Sequence, residues 1–353
     1  MAKSDLLKRL GIEHPVIQAP MGGGPSTPAL AAAASNAGGL GSLGAPYLTP
    51  QQILEAIAEV RRLTSRAFNV NLFAGGHRSE ELADPKPMLE LLTAIHEELG
   101  LPPPSVPTLP PDPFAAQLEA VLEARPPIFS FTFGIPGAEQ MARLKSLGIA
   151  VMGTATTVAE ARLLQEAGVD GVIAQGAEAA AHRGTFAGAF ETSMVPTLDL
   201  VRGIAASVSV PVTASGGLMD GRDVAAALQA GAAAAALGTA FLAAPESGAS
   251  APYKEAILAA RSDTTVITRA FSGRPARGLA NRFIAVLAGK EAAILPYPLQ
   301  NALTRAMRAE AAKRGESGLL SLWAGTGVAR ARALPAGELV RRIVREIGAE
   351  AVS

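Results

Sequence analysis

The chain has 353 residues, 49% hydrophobic and only 4% aromatic, which suits a large α/β unit and not a disordered chain. Lys plus Arg and Asp plus Glu balance at 31 each, so no net field draws the protein to nucleic acid or anionic lipid. The absence of cysteine excludes disulfides, thiolate nucleophiles and Cys-ligated zinc, and is compatible with a reducing cytoplasm, the expected location.

The opening MAKSDLLKRLGIEHP has no long apolar core and no cleavage site, so no secretory signal is expected. Short runs of β-branched or small apolar residues then recur at 16–21, 39–43, 68–73, 128–133, 150–155, 171–174, 210–215 and 234–240. Helical patterns lie between them, among them 50–63, 137–147, 157–167 and 222–230. Eight strands with intervening helices and no polar alternation predict a closed parallel TIM (β/α)8 barrel, buried on both faces; a doubly wound open sheet is the competing reading. The GLGSLG at 39–44 matches a dinucleotide fingerprint, but it follows a helical segment at 28–37 and itself reads as the second strand.

From about 84 to 127 the chain is Pro-rich and partly helical, an insertion between strands three and four. The strand rhythm stops after Pro245, which places a barrel at 1–244 and a mainly helical region at 245–353, packed on the barrel and partly covering its mouth. Leu339, Val340, Ile343, Val344 and Ile347 form one apolar stripe near its end. The run 224–244 is long and apolar, but its Gln and Gly interruptions and lack of large side chains favour a helix then a buried strand over a membrane span.

Chemistry concentrates at strand ends. After the sixth strand comes QGAEAAAHRGTF at 175–186, where His182, one of four histidines, stands among small residues that let a flat ligand approach the backbone. A histidine there can accept or donate a proton near neutral pH. Ser215, Gly216 and Gly217 end strand seven, and Leu237, Gly238 and Thr239 end strand eight, the usual barrel address for a phosphate. Met21, Asn71 and Gln175 at other strand ends add hydrogen-bonding groups suited to a heterocycle with many polar edges, such as a flavin. His14 and His96 read as structural; His77 follows the third strand and is a weaker candidate for contact. The segment 269–282 carries four arginines but only Phe271 for stacking, so it reads as a solvated face or a cationic lip for an anion, not a nucleic-acid site. No H-E-x-x-H, G-x-S-x-G or Walker A pattern occurs, and no metal is expected.

Taken in order, HPVIQAPMGGGPSTPALAAAASNAGGLGSLGA, FNVNLF, QGAEAAAHRG, ASGGLMDGRD, ALGTAF, SGRPARGLANR and LWAGTG resemble the nitronate monooxygenases, formerly 2-nitropropane dioxygenases, of the bacterial class I group. The resemblance spans nearly the whole chain. It implies a TIM barrel with an added region, one non-covalent FMN, no metal, and oxidation of alkyl nitronates, propionate 3-nitronate above all, by dioxygen. By position it implies flavin contacts at Met21, Asn71, Gln175, Ala180, Ser215, Gly216, Gly217, Leu237, Gly238 and Thr239, and an active-site histidine at His182. It also implies a substrate pocket including Tyr297, with Asn301 and Arg305 where some members carry a tyrosine and a lysine. Ala180 and Ala181 replace two glycines of the family loop, and an alanine forced to positive φ costs about 1 kcal/mol or more. Rival expectations on the same fold are an FMN-dependent NAD(P)H reductase, of the type II enoyl-acyl carrier protein or NADH:quinone kind, and a flavin-storage barrel. A monomer and a homodimer are both compatible with the sequence.

Overall fold

The computed structural model describes residues 8–75, 83–261 and 265–350. Its centre is an eight-stranded parallel sheet built from β1 (Val16–Gln18), β2 (Gly41–Gly44), β3 (Phe68–Phe73), β4 (Ile128–Thr132), β5 (Ala150–Ala155), β6 (Gly171–Gln175), β8 (Val212–Ser215) and β9 (Ala234–Leu237). β7 (Ala181–His182) leaves the barrel after β6. Each strand pairs in parallel with the next, β9 returns to β1, and a parallel bridge between Ile17 and Leu40 joins β1 to the start of β2. The ring is closed, which excludes the doubly wound reading.

Small apolar strands let helices sit close. A Cβ on Gly41 would fall 1.8 Å from the Ala31 carbonyl oxygen of helix Pro28–Asn36, so the glycines of GLGSLG serve helix-on-strand packing and not a dinucleotide. Several helix starts carry side-chain caps: Thr49 and Gln52 form a reciprocal box, and Asp220 accepts from the amides of Arg222 and Asp223. The eighth strand is shorter than its apolar run suggests. It stops at Leu237, and Thr239–Leu242 turns into a short helix.

Two further departures from the sequence reading matter for the site. The region after Pro245 contains an antiparallel hairpin, β10 (Thr265–Thr268) with β11 (Ala276–Leu279), and β11 pairs in turn with β7. The arginine-rich segment is therefore the turn and second strand of that hairpin. The insertion helix Lys86–Glu98 also packs Met88, Leu92 and Ile95 into a second apolar core with Phe271, Phe283 and Met307, so the insertion and the hairpin region share an interior. The final helix, Ala336–Glu350, returns to the barrel core; Leu339, Val340 and Ile343 are buried, and Val344 and Ile347 pack beside them. No helix among the described residues is long and apolar enough to cross a membrane.

Two stability predictions follow from this packing. Ile343 is fully buried, so Ile343→Ala should lower unfolding free energy by about 2–5 kcal/mol; a denaturant titration showing no change would remove the terminal helix from the barrel core. Ala181 in β7 has φ +61°, a left-handed conformation, whereas Ala180 does not. That conformation costs an alanine about 1–2 kcal/mol, partly offset by the greater unfolded-state freedom of glycine. Ala181→Gly should therefore raise Tm by about 1–3 °C in a thermal melt, and a fall in Tm would mean the loop holds no strain there.

Candidate active site

The loop from Gln175 to His182 is held by buried polar side chains, because its own residues are too small to build a core. Gln175 Oε1 accepts from the Gly184 amide at 2.8 Å, and its Nε2 donates to the His182 carbonyl at 3.1 Å. The buried Arg183 guanidinium donates to the Gly176 carbonyl at 2.6 Å, to Ser193 Oγ at 3.3 Å and to the Ser193 carbonyl. Burial pulls the Arg183 pKa down to about 10, so it stays charged at neutral pH. Beyond the histidine, the fully buried Glu160 accepts from the Phe186 and Ala187 amides at 2.6 and 3.0 Å. Glu178 accepts from the Thr197 amide and hydroxyl at 2.8 and 2.7 Å.

His182 is thereby fixed over the C-terminal end of the barrel. Its Nε2 lies 2.8 Å from Ser272 Oγ, on the turn of the hairpin. Ser272 Oγ is also 3.2 Å from the Arg274 carbonyl oxygen. With its hydroxyl donated to that carbonyl, Ser272 accepts from Nε2–H; turned round, it donates to a bare Nε2. The imidazole is walled by the rings of Trp323, Tyr297 and Phe133 at centroid distances of 5.7, 5.9 and 6.1 Å.

A cavity of about 270 Å³ opens beside His182 and runs to the ends of β8 and β9. Of the residues singled out from the sequence, it brings together Met21, Asn71, Gln175, Ala180, His182, Ser215, Gly216, Gly217, Gly238 and Thr239. Leu237 is not among them: its side chain is buried in the barrel core and its carbonyl accepts from the Ala19 amide at 2.9 Å. Tyr297 lines an adjoining cavity of about 510 Å³, and Arg305 is exposed and lines neither. His77 lies outside the described residues. The arginines read as a lip for an anion are engaged elsewhere, Arg274 with the Thr185 carbonyl at 2.7 Å and the Phe133 ring at 4.0 Å, Arg277 with the Ala177 carbonyl at 3.0 Å, Arg282 with Glu98 at 2.5 Å.

Sequence reasoning missed Ser272, Tyr253, Arg308 and Trp323. The last three line the cavity together with Asn301, which the resemblance had singled out, and Tyr253 Oη donates to the Trp323 carbonyl at 2.6 Å. Trp323 is the only tryptophan of the chain, a signal that was available.

The lining suits the flavin that the resemblance implies. A Cβ added at Gly238 would meet only Ala19 Cβ at 3.8 Å and Met21 Sδ at 4.0 Å, so the missing side chain leaves room at the strand end. Gly216 and Gly217 have φ of 130° and 70°, a run that turns the loop after β8. Thr239 Oγ1 accepts from the Gly325 amide at 3.0 Å and keeps a hydroxyl hydrogen to donate. Two buried oxygens of the lining, Asn69 Oδ1 and Thr213 Oγ1, have no hydrogen-bond partner within the protein. Such atoms are costly unless a bound group with polar edges meets them.

Comparisons with known proteins agree with this geometry. The pattern of the family described as "Nitronate monooxygenase" matches residues 3–346. A nitronate monooxygenase of Pseudomonas aeruginosa is 44% identical over 350 residues, covering 96% of this chain and 97% of that protein. A probable nitronate monooxygenase of Staphylococcus aureus (strain Newman) is 40% identical over 346 residues, covering 98% and 97%. Among solved structures, the nitroalkane oxidase from Streptomyces ansochromogenes superposes with a TM-score of 0.91 at 40% identity, covering 99% of this chain and 100% of that one. FabK from Thermotoga maritima superposes with a TM-score of 0.78 at 29% identity, covering 99% and 97%. The chain belongs to the nitronate monooxygenase family.

Proposed function

We propose that this protein is an FMN-dependent monooxygenase that oxidises small alkyl nitronates with dioxygen. The observation that carries the reading is the single cavity joining a glycine-lined strand end to the Ser272-held imidazole of His182. Phosphate would lie at Ser215, Gly216, Gly217, Gly238 and Thr239, and Met21, Asn71, Gln175 and Ala180 would face the ring system. FMN, when bound, supplies the electron transfer and dioxygen chemistry that protein side chains lack.

The chain's own part is binding, orientation and proton handling. A nitronate is already deprotonated at carbon, and His182 would hydrogen-bond its nitro oxygens. A neutral nitroalkane must first lose its α-proton, and His182 is the base within the cavity for that transfer. With the Ser272 hydroxyl donated to the Arg274 carbonyl, the imidazole holds its proton on Nε2 and its basic lone pair is on Nδ1. The wall of Phe133, Tyr297 and Trp323 limits water beside the ring.

Four measurements test this reading. Oxygen uptake with propionate 3-nitronate, propyl nitronate and NADH, run side by side, should respond to the nitronates; rapid NADH oxidation with a quinone or enoyl thioester and no nitronate response would make the protein a reductase of the FabK-like kind. Heat denaturation should release FMN, and release of FAD would overturn the cofactor assignment. Gly238→Ala introduces no clash within the protein but narrows the proposed cradle, so the flavin Kd should rise about tenfold or more while Tm of the flavin-free protein holds. His182→Asn should lower kcat/KM for neutral nitroalkanes about 100-fold or more, with a smaller loss on preformed nitronates. Equal losses on both forms would assign His182 to loop structure alone.

A further inference from the structure

The cavity wall carries a cation whose hydrogen-bond partners among the described residues are all neutral. Arg308 donates to the Asn301 carbonyl at 2.7 Å, Asn301 Oδ1 at 3.0 Å, the Thr304 carbonyl at 3.4 Å and Ser321 Oγ at 3.5 Å. No carboxylate among the described residues pairs with it. Other arginines of the same region do find counter-ions: Arg282 pairs with Glu98 and Arg314 with Glu310. Burial pulls the Arg308 pKa down to about 10, which leaves the guanidinium charged at neutral pH. A desolvated charge with only neutral acceptors is an incomplete arrangement, and an anion entering the cavity completes it.

Helix geometry explains why this arginine, and not its neighbour, reaches the site. Thr304, Met307, Arg308 and Ala311 follow the spacing of one helical face, and Thr304, Met307 and Ala311 are fully buried. Arg305 falls outside that stripe and is exposed. Asn301 and Ser321, both neutral and both able to donate or accept, flank Arg308 in the cavity lining.

We propose that Arg308, rather than Arg305, is the counter-ion for a carboxylate carried by the substrate. The inference rests on the nitronate reading for its choice of substrate, and it assigns selectivity for nitronates bearing a second negative charge to this one residue. Arg308 also donates to carbonyls at the end of helix Leu299–Leu303, so a structural role is the alternative that a test must separate.

The decisive experiment is equilibrium titration of the flavin-loaded protein, followed by flavin absorbance, with 3-nitropropionate and with 1-nitropropane, which lacks the carboxylate. Arg308→Met should weaken 3-nitropropionate about tenfold or more and 1-nitropropane less than about threefold. Arg305→Met should change neither. Equal weakening of both ligands by Arg308→Met, or selective weakening by Arg305→Met, overturns the assignment. Should Arg308→Met fail to fold, Arg308→Lys decides: it keeps the charge and is expected to keep the preference for the carboxylate ligand, and loss of that preference overturns the proposal. Binding and turnover are read separately. A wild-type protein inert towards every nitronate defeats the functional reading, while the titration still judges Arg308.

Discussion

The two residue pairs of the β7–β11 ladder, His182 with Ala276 and Ala181 with Arg277, hold the loop that carries His182 to the hairpin. They add to the backbone bonds from Gly176 to Ser215 and from Ala177 to Val195, which small residues need because none can bury much area of its own. The same register brings the hairpin turn, and with it Ser272, against the imidazole. The left-handed Ala181 belongs to this arrangement. Strain at one residue is tolerated because ladder bonds, Gln175 and Arg183 fix the loop on both sides of it.

Those fixing groups are themselves interdependent. Arg183 and Glu160 are both buried, and each anchors a different end of the loop through backbone groups. Removing either side chain leaves its backbone partners unsatisfied in a poorly solvated interior, a loss of about 1–3 kcal/mol for each such group. At the opposite end of the cavity the Gly325 amide donates to Thr239 and the Thr326 amide to the Glu178 carbonyl. The barrel end at Thr239 is thus closed by a segment more than eighty positions later in the chain. Any ligand that binds across this seam stabilises the docking of the C-terminal region as well as itself.

The barrel was legible because its strands are buried on both faces and therefore appear as short apolar runs, with glycines and threonines marking where each stops. The cavity-lining glycines and His182 were legible for the same reason: a parallel barrel puts strand ends and their loops on one rim. The hairpin was not. Its strands are four residues long, and β11 carries an arginine and a glycine, so no alternation of period two stands out. Leu237 lies outside the cavity lining because a strand-end position does not say which way a side chain points, and its side chain enters the core. Arg305 was chosen by position alone, when the stripe of Thr304, Met307 and Ala311 turns the next arginine inward.

Composition held one further clue. The chain has three tyrosines and one tryptophan. Tyr47, Tyr253 and Trp323 line the cavity, and Tyr297 sits against His182. In a chain whose core is packed with phenylalanine, alanine and aliphatic residues, aromatic side chains with a polar tip are not needed to fill the interior. Their value is a rigid apolar body with one polar handle. Tyr253 uses that handle to hold the Trp323 backbone, and the Tyr47 and Tyr297 hydroxyls hydrogen-bond each other. The rarest large residues therefore build the one wall that must be both apolar and fixed, which places the site by scarcity as surely as the glycines place it by shape.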